Sequence, residues 1–383
     1  MKTIVALLFL IYLTNSCAPE NSIKKFQNSI EKQIDSIRTE YNIPAVSYGV
    51  VRNDSVMVQN AIGFRDINTK EKVQTGDLFH IGSNTKAFTS FLAAKLVEQG
   101  LITWDTKLFD LYPELKNECK PDYFNITLLE LLSHRARLIK FMDDSETYPI
   151  IDYEKNIEGD LSIAEKRYHF IKQVLKYEPI AWHDHPDDRY SNAGFIAAAL
   201  MLEKAVGKTW EKLIMEVSAA LNLGIQIGWP DDNNPNQPKG HINPKTWLLD
   251  IDKELIPLPG VLKKYHYFNQ YISLCNPSGN LSISLRGFLK YLRLIIEGLN
   301  GKDNYLKSES YKQIFNSYTD YSCGWMNEIY FVPCFHHRGS AGTFNSIAII
   351  VPDKNVGIVI MINTHDGTGI NHIAKILINK YSK

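Results

Sequence analysis

The chain has 383 residues, 44% of them apolar and 22% charged, which suits one large globular domain or two lobes and is too long for a single small core. Lysine plus arginine (42) balances aspartate plus glutamate (42), so charge gives no reason to expect nucleic acid or another polyanion as a partner.

Met1-Lys2 places a positive charge before Ile4–Leu13, an apolar run of about ten residues. That is the length of a signal-peptide core and too short to cross a bilayer. The run ends in Leu13-Thr14-Asn15-Ser16-Cys17. Small or polar residues before a cysteine resemble a bacterial lipoprotein processing site, although Thr14 stands where an aliphatic residue is usual. The expectation is an exported protein of the bacterial cell envelope. Residues 1–16 read as signal peptide, 17–22 as a linker lipidated at Cys17 that anchors the chain to the membrane, and 23–383 as the folded domain. An ordinary cleaved signal with an incidental cysteine is the other reading. Export would permit disulfides, but Cys119, Cys275, Cys323 and Cys334 are too scattered for a disulfide framework, and buried thiols are expected.

Ile23 to Thr39 has the spacing of an amphipathic helix, which Pro44 ends. Ala45–Val51 and Ser55–Ile62 are rich in β-branched residues and read as a hairpin about Arg52-Asn53-Asp54. A long helix is predicted to start near Ser83, with Phe88, Phe91, Leu92 and Leu96 on one face and Gly100 at its end. Residues 104 to about 270 read as helical patches broken by loops, among them the turn-rich Gly228–Pro235. Ser284–Gly298 is a clear helix. Strands are expected at Cys323–Val332, Phe344–Val351 and Val356–Ile362, with Pro352–Asn355 as a turn, and Ile370–Tyr381 closes the chain as a helix. Strands at both ends with helices between predict an α/β (α+β) fold. An antiparallel sheet would be built from both termini and flanked by helices, with an inserted helical lobe.

Three short segments carry possible chemistry. In Ser83-Asn84-Thr85-Lys86, serine and lysine stand three apart at a helix start and share a face. A serine hydroxyl needs a neighbouring base, and a desolvated lysine can supply one. In Tyr190-Ser191-Asn192, a tyrosine near cationic groups would have its phenol pKa lowered and could shuttle protons, while the asparagine offers a donor and an acceptor to a substrate amide. In His337-Arg338-Gly339-Ser340, which is expected to open a strand, glycine allows close backbone approach. The Ser340 N–H would join that of Ser83 as an oxyanion donor. The first two segments alone have bland readings: a helix cap with an exposed lysine, and a buried tyrosine in a helical lobe.

In this order the three segments resemble the signature of the serine β-lactamase and penicillin-binding-protein family, S-x-x-K, Tyr/Ser-x-Asn and Lys/His-x-Gly. The Tyr-Ser-Asn form is similar to class C β-lactamases. The His-x-Gly form is similar to the D-Ala carboxypeptidase, D-aminopeptidase and esterase branch. Phe79–Lys86, Gly100–Asp105, Ile126–His134, Pro277–Ser282 and Gly324-Trp325 extend the likeness over nearly the whole chain after the leader. The resemblance implies a β-lactamase/transpeptidase-like fold and a serine hydrolase with Ser83 as nucleophile, Lys86 and Tyr190 as its coupled base, and no cofactor or metal. Asn192, His337, Gly339 and Ser340 would bind a small-molecule or peptide substrate, with His337 supporting Tyr190 or a substrate carboxylate. The competing reading is a non-catalytic penicillin-binding sensor that keeps the fold. Two departures stand out. Arg135-Ala136-Arg137 replaces the usual Thr-Ser-Gly, so its arginines either favour an anionic substrate or sit in a solvated loop. The His183–Arg189 stretch is dense in His and Asp, but turn residues beside a helix explain it without a metal.

Overall fold

The computed structural model describes residues 20–142, 160–244, 253, 255–257 and 273–382; the leader and Cys17 lie outside them. Helix α1 (Glu20–Glu40) leads into the hairpin β1 (Ala45–Arg52) and β2 (Ser55–Gly63), then β3 (Leu78–His80). A single 3-10 turn, Gly82–Asn84, opens α2 (Thr85–Glu98). The lobe follows, with α3 (Leu108–Leu111), α4 (Leu128–Leu132), α5 (Ile163–Val174), α6 (Asn192–Val206) and α7 (Trp210–Leu221), then the two-residue strands β4 (Gln226–Ile227), β5 (His241–Ile242) and β6 (Ile256–Pro257). Helix α8 (Asn276–Gly279), strand β7 (Leu281–Ser284), and helices α9 (Leu285–Leu299) and α10 (Ser308–Asn316) lead back to the main sheet. Strands β8 (Tyr321–Ser322), β9 (Trp325–Tyr330), β10 (Val332–Ser340), β11 (Asn345–Val351) and β12 (Val356–Ile362) complete that sheet, and α11 (Thr368–Tyr381) ends the chain.

The main sheet has the order β2-β1-β12-β11-β10-β9-β8 with every neighbour antiparallel, so the amino-terminal hairpin pairs with the last strand. Helices cover both faces, which is why β12 reads Val-Gly-Ile-Val-Ile-Met-Ile without polar interruption. Ile358, Ile360 and Ile362 join Ile30, Ile34, Ile373 and Leu377 of α1 and α11 on one side. Val359 and Met361 face the larger core with α2, α9 and the lobe on the other, as the two-residue period of a strand requires.

The sequence placed one strand too few between Cys323 and Val351. Cys323 and Gly324 take positive φ (43° and 84°) in a tight turn between β8 and β9, and Phe331, at φ 62°, turns β9 back into β10. The His-x-Gly segment therefore ends its own strand instead of opening the next one. Among the described residues Cys119, Cys275, Cys323 and Cys334 form no disulfide, and burial pushes the Cys323 thiol up to about 12.

Candidate active site

Ser83 sits in the 3-10 turn that starts α2, where β3 ends. The helix is apolar nearly all round because it runs through the core, and Lys86, one turn in, is 0% exposed. Its ammonium nitrogen has three partners: Ser83 Oγ at 3.2 Å, Asn192 Oδ1 at 2.7 Å and the Ser278 carbonyl at 2.7 Å. Desolvation holds the Lys86 pKa well below its ordinary value. A neutral amine has two N–H groups and one lone pair. Two of the partners are oxygens that only accept, so they take both N–H groups and leave the lone pair directed at the Ser83 hydroxyl.

Tyr190 follows a 3-10 turn, Pro186–Arg189, and its ring lies under the Lys86 nitrogen at 4.5 Å to the centroid. The expected lowering of its phenol is not found. Burial raises the pKa, and the hydrogen bond with Ser83 only partly offsets it. The lysine that was to act on the tyrosine as a cation is itself driven toward the neutral form by the same desolvation. Tyr190 is thus a neutral phenol, a proton donor before it is a base.

Asn192 opens α6, behind Ser191, whose hydroxyl accepts from Gly194 N–H as the helix cap. The Asn192 amide is engaged at both ends, its oxygen by Lys86 and its nitrogen by the Phe141 carbonyl at 3.1 Å. One N–H of its two remains for a substrate.

His337 is buried and both ring nitrogens are committed. Nδ1 faces the Arg338 carbonyl at 2.6 Å, which can only accept, so Nδ1 carries the proton. Nε2 is then the acceptor for the Tyr321 hydroxyl at 3.1 Å. Desolvation lowers the imidazole pKa to about 3. The sequence reading had His337 bracing Tyr190 or holding a carboxylate. Its hydrogen-bond partner is Tyr321 instead, and the Tyr190 ring is 6.2 Å away between centroids.

Gly339 and Ser340 explain how β10 meets the Ser83 turn. A Cβ on Gly339 would stand 1.8 Å from the Ile81 carbonyl, and one on Gly82 would stand 2.6 Å from the Ser340 nitrogen. Gly82 also has φ 50°, a left-handed conformation that suits glycine. The strand and the turn are thus in backbone contact, with Ser346 Oγ donating to the Ile81 carbonyl and accepting from Asn84 Nδ2, both at 2.8 Å. Ala341 N–H donates to the Phe344 carbonyl, so it points at β11. Successive residues in an antiparallel ladder turn their N–H groups to opposite edges, and Ser340 N–H faces the other way. On that side β9 pairs with β10 only as far as His336, and the edge left over looks onto the Ser83 turn. Gly339→Ala is expected to separate the two backbones. Labelling of Ser83 by a fluorophosphonate should slow about 10²-fold, the scale of an ångström of misplacement. Intact-protein mass spectrometry over time checks this, and unchanged labelling would show that the contact is not needed.

Ser83, Tyr190, Asn192, His337, Gly339 and Ser340 all line one cavity of about 1060 Å³, with Lys86 sealed beneath it. The same cavity is lined by Arg338, whose Nη2 donates to the Tyr330 hydroxyl at 3.1 Å and to Asn371 Oδ1, and by the carboxylates of Asp187 and Glu328. Arg135 and Arg137 do not line it. Arg135 pairs with Asp320 at 2.7 Å and lies over the Tyr318 ring, and Arg137 donates to the Ile180 carbonyl at 2.9 Å. The His183 and Asp184 carbonyls accept from buried Arg189 at 2.8 and 2.6 Å, which is the structural work of that polar stretch. Among the described residues no group of three or more His, Cys, Asp or Glu is arranged to hold a metal ion.

Sequence reasoning missed Tyr321, the Ser278 carbonyl and the part played by His134. His134 accepts from Ser191 N–H at 3.1 Å, and its ring packs against Tyr190 and Tyr321 at 4.3 and 4.5 Å. Only the family-like contexts of Pro277–Ser282 and Ile126–His134 marked two of these regions in advance.

The family model described as Beta-lactamase matches residues 28–382. The protein called flp from Staphylococcus aureus (strain MRSA252) is 22% identical over 354 residues, which cover 88% of this chain and 64% of flp, so the chain spans less than two thirds of that relative's length. The octameric penicillin-binding-protein homologue from Pyrococcus abyssi superposes with a TM-score of 0.71 at 19% identity, covering 92% of this chain and 77% of that one. A class C β-lactamase from Rhodobacter sphaeroides gives 0.67 at 18%, covering 93% and 100%. At these identities the structural likeness establishes the β-lactamase/transpeptidase-like fold.

Proposed function

The chain belongs to the Beta-lactamase family, and from that premise we propose that it is a serine hydrolase that forms an acyl-enzyme on Ser83 and prefers amides or esters, D-amino-acid peptides among them, to β-lactams. The observation that carries this reading is the Lys86 amine, fully buried, held by two carbonyl acceptors and aimed at the Ser83 hydroxyl.

Lys86 Nζ takes the Ser83 proton as Oγ bonds to the substrate carbonyl carbon. The oxygen of that carbonyl becomes negative between the N–H groups of Ser83 and Ser340. As the tetrahedral species collapses, the Tyr190 hydroxyl gives its proton to the departing nitrogen or oxygen, and Lys86, which holds the proton taken from Ser83, gives it to the phenolate. Water then adds to the acyl carbon, its proton passing by way of the Tyr190 hydroxyl to Lys86, and the acyl–Oγ bond breaks as Lys86 returns that proton to Ser83 Oγ. Asn192 offers its remaining N–H to the substrate amide.

Substrate preference follows from His337. A permanent cation at that position would attract a β-lactam carboxylate, but this imidazole is neutral and its hydrogen bonds are spent inside the protein. Arg338 supplies a cation, offset by Asp187 and Glu328 on the same wall. The test compares kcat/KM for nitrocefin with D-Ala-D-Ala peptides and p-nitrophenyl esters between about pH 5 and 8. A peptide or an ester should lead. His337, titrating near 3, should contribute no inflection in this range. Nitrocefin exceeding every peptide and ester would make β-lactamase the better assignment. A single acylation without release would favour the penicillin-binding sensor. Residues 1–22 carry the companion proposal of a lipid anchor at Cys17 in the cell envelope, which detergent partitioning of Cys17→Ala against the native chain decides.

A further inference from the structure

A line of side-chain hydrogen bonds joins the Ser83 turn to the ion-pair cluster of the lobe. Gly82 N–H, next to the nucleophile, donates to His80 Nδ1 at 3.1 Å. A backbone N–H cannot accept, so Nδ1 is unprotonated and Nε2 carries the hydrogen. His80 Nε2 then donates to Asn280 Oδ1 at 2.9 Å, Asn280 Nδ2 to Asn276 Oδ1 at 2.7 Å, and Asn276 Nδ2 to Glu211 Oε1 at 2.8 Å. Glu211 and Glu203 both accept from Arg167, which is 0% exposed, and Glu203 also accepts from Trp210 N–H at 2.8 Å. The direction of every bond is fixed, because a backbone donor stands at one end and a carboxylate held by an arginine at the other. Reversing either amide would set like groups against each other. Helix α8, which carries Asn276 at its start, also carries the Ser278 carbonyl that accepts from Lys86.

We propose that Asn280 and Asn276 are positioning residues for Ser83, holding the nucleophile's turn and the Lys86 acceptor in one register with the buried Arg167 cluster of the helical lobe. Among the described residues neither side chain hydrogen-bonds to Ser83 or Lys86; Asn280 acts through His80 and Asn276 through Asn280. The inference rests on the hydrolase reading above.

The experiment follows fluorophosphonate labelling of Ser83 in the full chain, recording both the final labelled fraction and the rate constant. Asn280→Ala should slow labelling about 10- to 100-fold while the labelled fraction stays complete. Asn276→Ala should slow it in the same way, and the double variant should be no slower than the slower single one, since one chain is broken only once. A merely structural role would lower the labelled fraction and leave the rate constant of the folded molecules alone, and that result overturns the inference. Rates within about twofold of wild type, or effects that multiply, overturn it as well. If the native chain does not label at Ser83 at all, the hydrolase reading and this inference fall together; if it labels and the variants match it, only the inference falls.

Discussion

Ser83→Ala is expected to lower kcat for any accepted substrate by at least about 10⁴-fold and to remove fluorophosphonate labelling, with the fold retained. The size follows from what is lost. No other hydroxyl among the described residues stands at the lone pair of a neutral buried amine, so nothing takes over the covalent step. The residual rate would come from oxyanion donors and substrate binding alone. The fold should survive because, among the described residues, the deleted hydroxyl bonds only Lys86 and Tyr190, a loss of about 1 kcal/mol against burial that is otherwise unchanged. Thermal melting together with turnover checks both halves. A variant that melts like the native protein and keeps turnover within tenfold of it would sink the assignment of the nucleophile; about tenfold is 1.4 kcal/mol, far short of a lost covalent route.

The second large effect is at Lys86. Lys86→Met keeps the stem but not the base, and kcat/KM should fall about 10²- to 10⁴-fold, the range of a general base. Lys86→Arg should not rescue it, because a guanidinium stays protonated; an active arginine variant would mean that charge, not basicity, is what the site needs. The native pH profile should rise through the depressed lysine pKa as the amine loses its proton. Stability carries the same sign. Between the depressed folded pKa and the unfolded value the unfolded chain binds the extra proton, so stability increases with pH across that window. Lys86→Met should flatten the dependence. Denaturant midpoints at several pH values test this, and an unchanged slope in the variant would contradict a desolvated lysine.

Both effects depend on groups that the chain brings together from distant places. Ser83 and Lys86 are three residues apart, a spacing that a helix turns into a shared face, and so they were legible in the sequence. The hairpin Ala45–Gly63 and the strand Val356–Ile362 were legible too, because alternation and β-branched runs are local signals. The order of Ser83-Asn84-Thr85-Lys86, Tyr190-Ser191-Asn192 and His337-Arg338-Gly339 identified the family before any contact was known. The break between β9 and β10 was not legible. Phe331 turns the chain in a left-handed conformation without glycine, proline or asparagine to announce it.

The protonation levels were decided by tertiary structure alone. Tyr190 was expected to be acidified by its neighbours, and burial moved it up instead; burial likewise moved His337 down to about 3. Residue type fixes only the starting pKa, whereas the shift depends on which chain segments exclude water from the group. For Lys86 those segments bring Asn192, Ser278, Tyr190 and Phe195, from 106 positions away for the asparagine and 192 for the serine carbonyl. The same holds for Tyr321 against His337 and for the amides of Asn276 and Asn280. The sequence by itself determined which residues could do acyl-transfer chemistry, because that depends on side-chain type and short spacing. Which of them holds a proton, and which merely holds its neighbour in place, was settled only when the sheet, the lobe and the Ser83 turn closed around one desolvated amine.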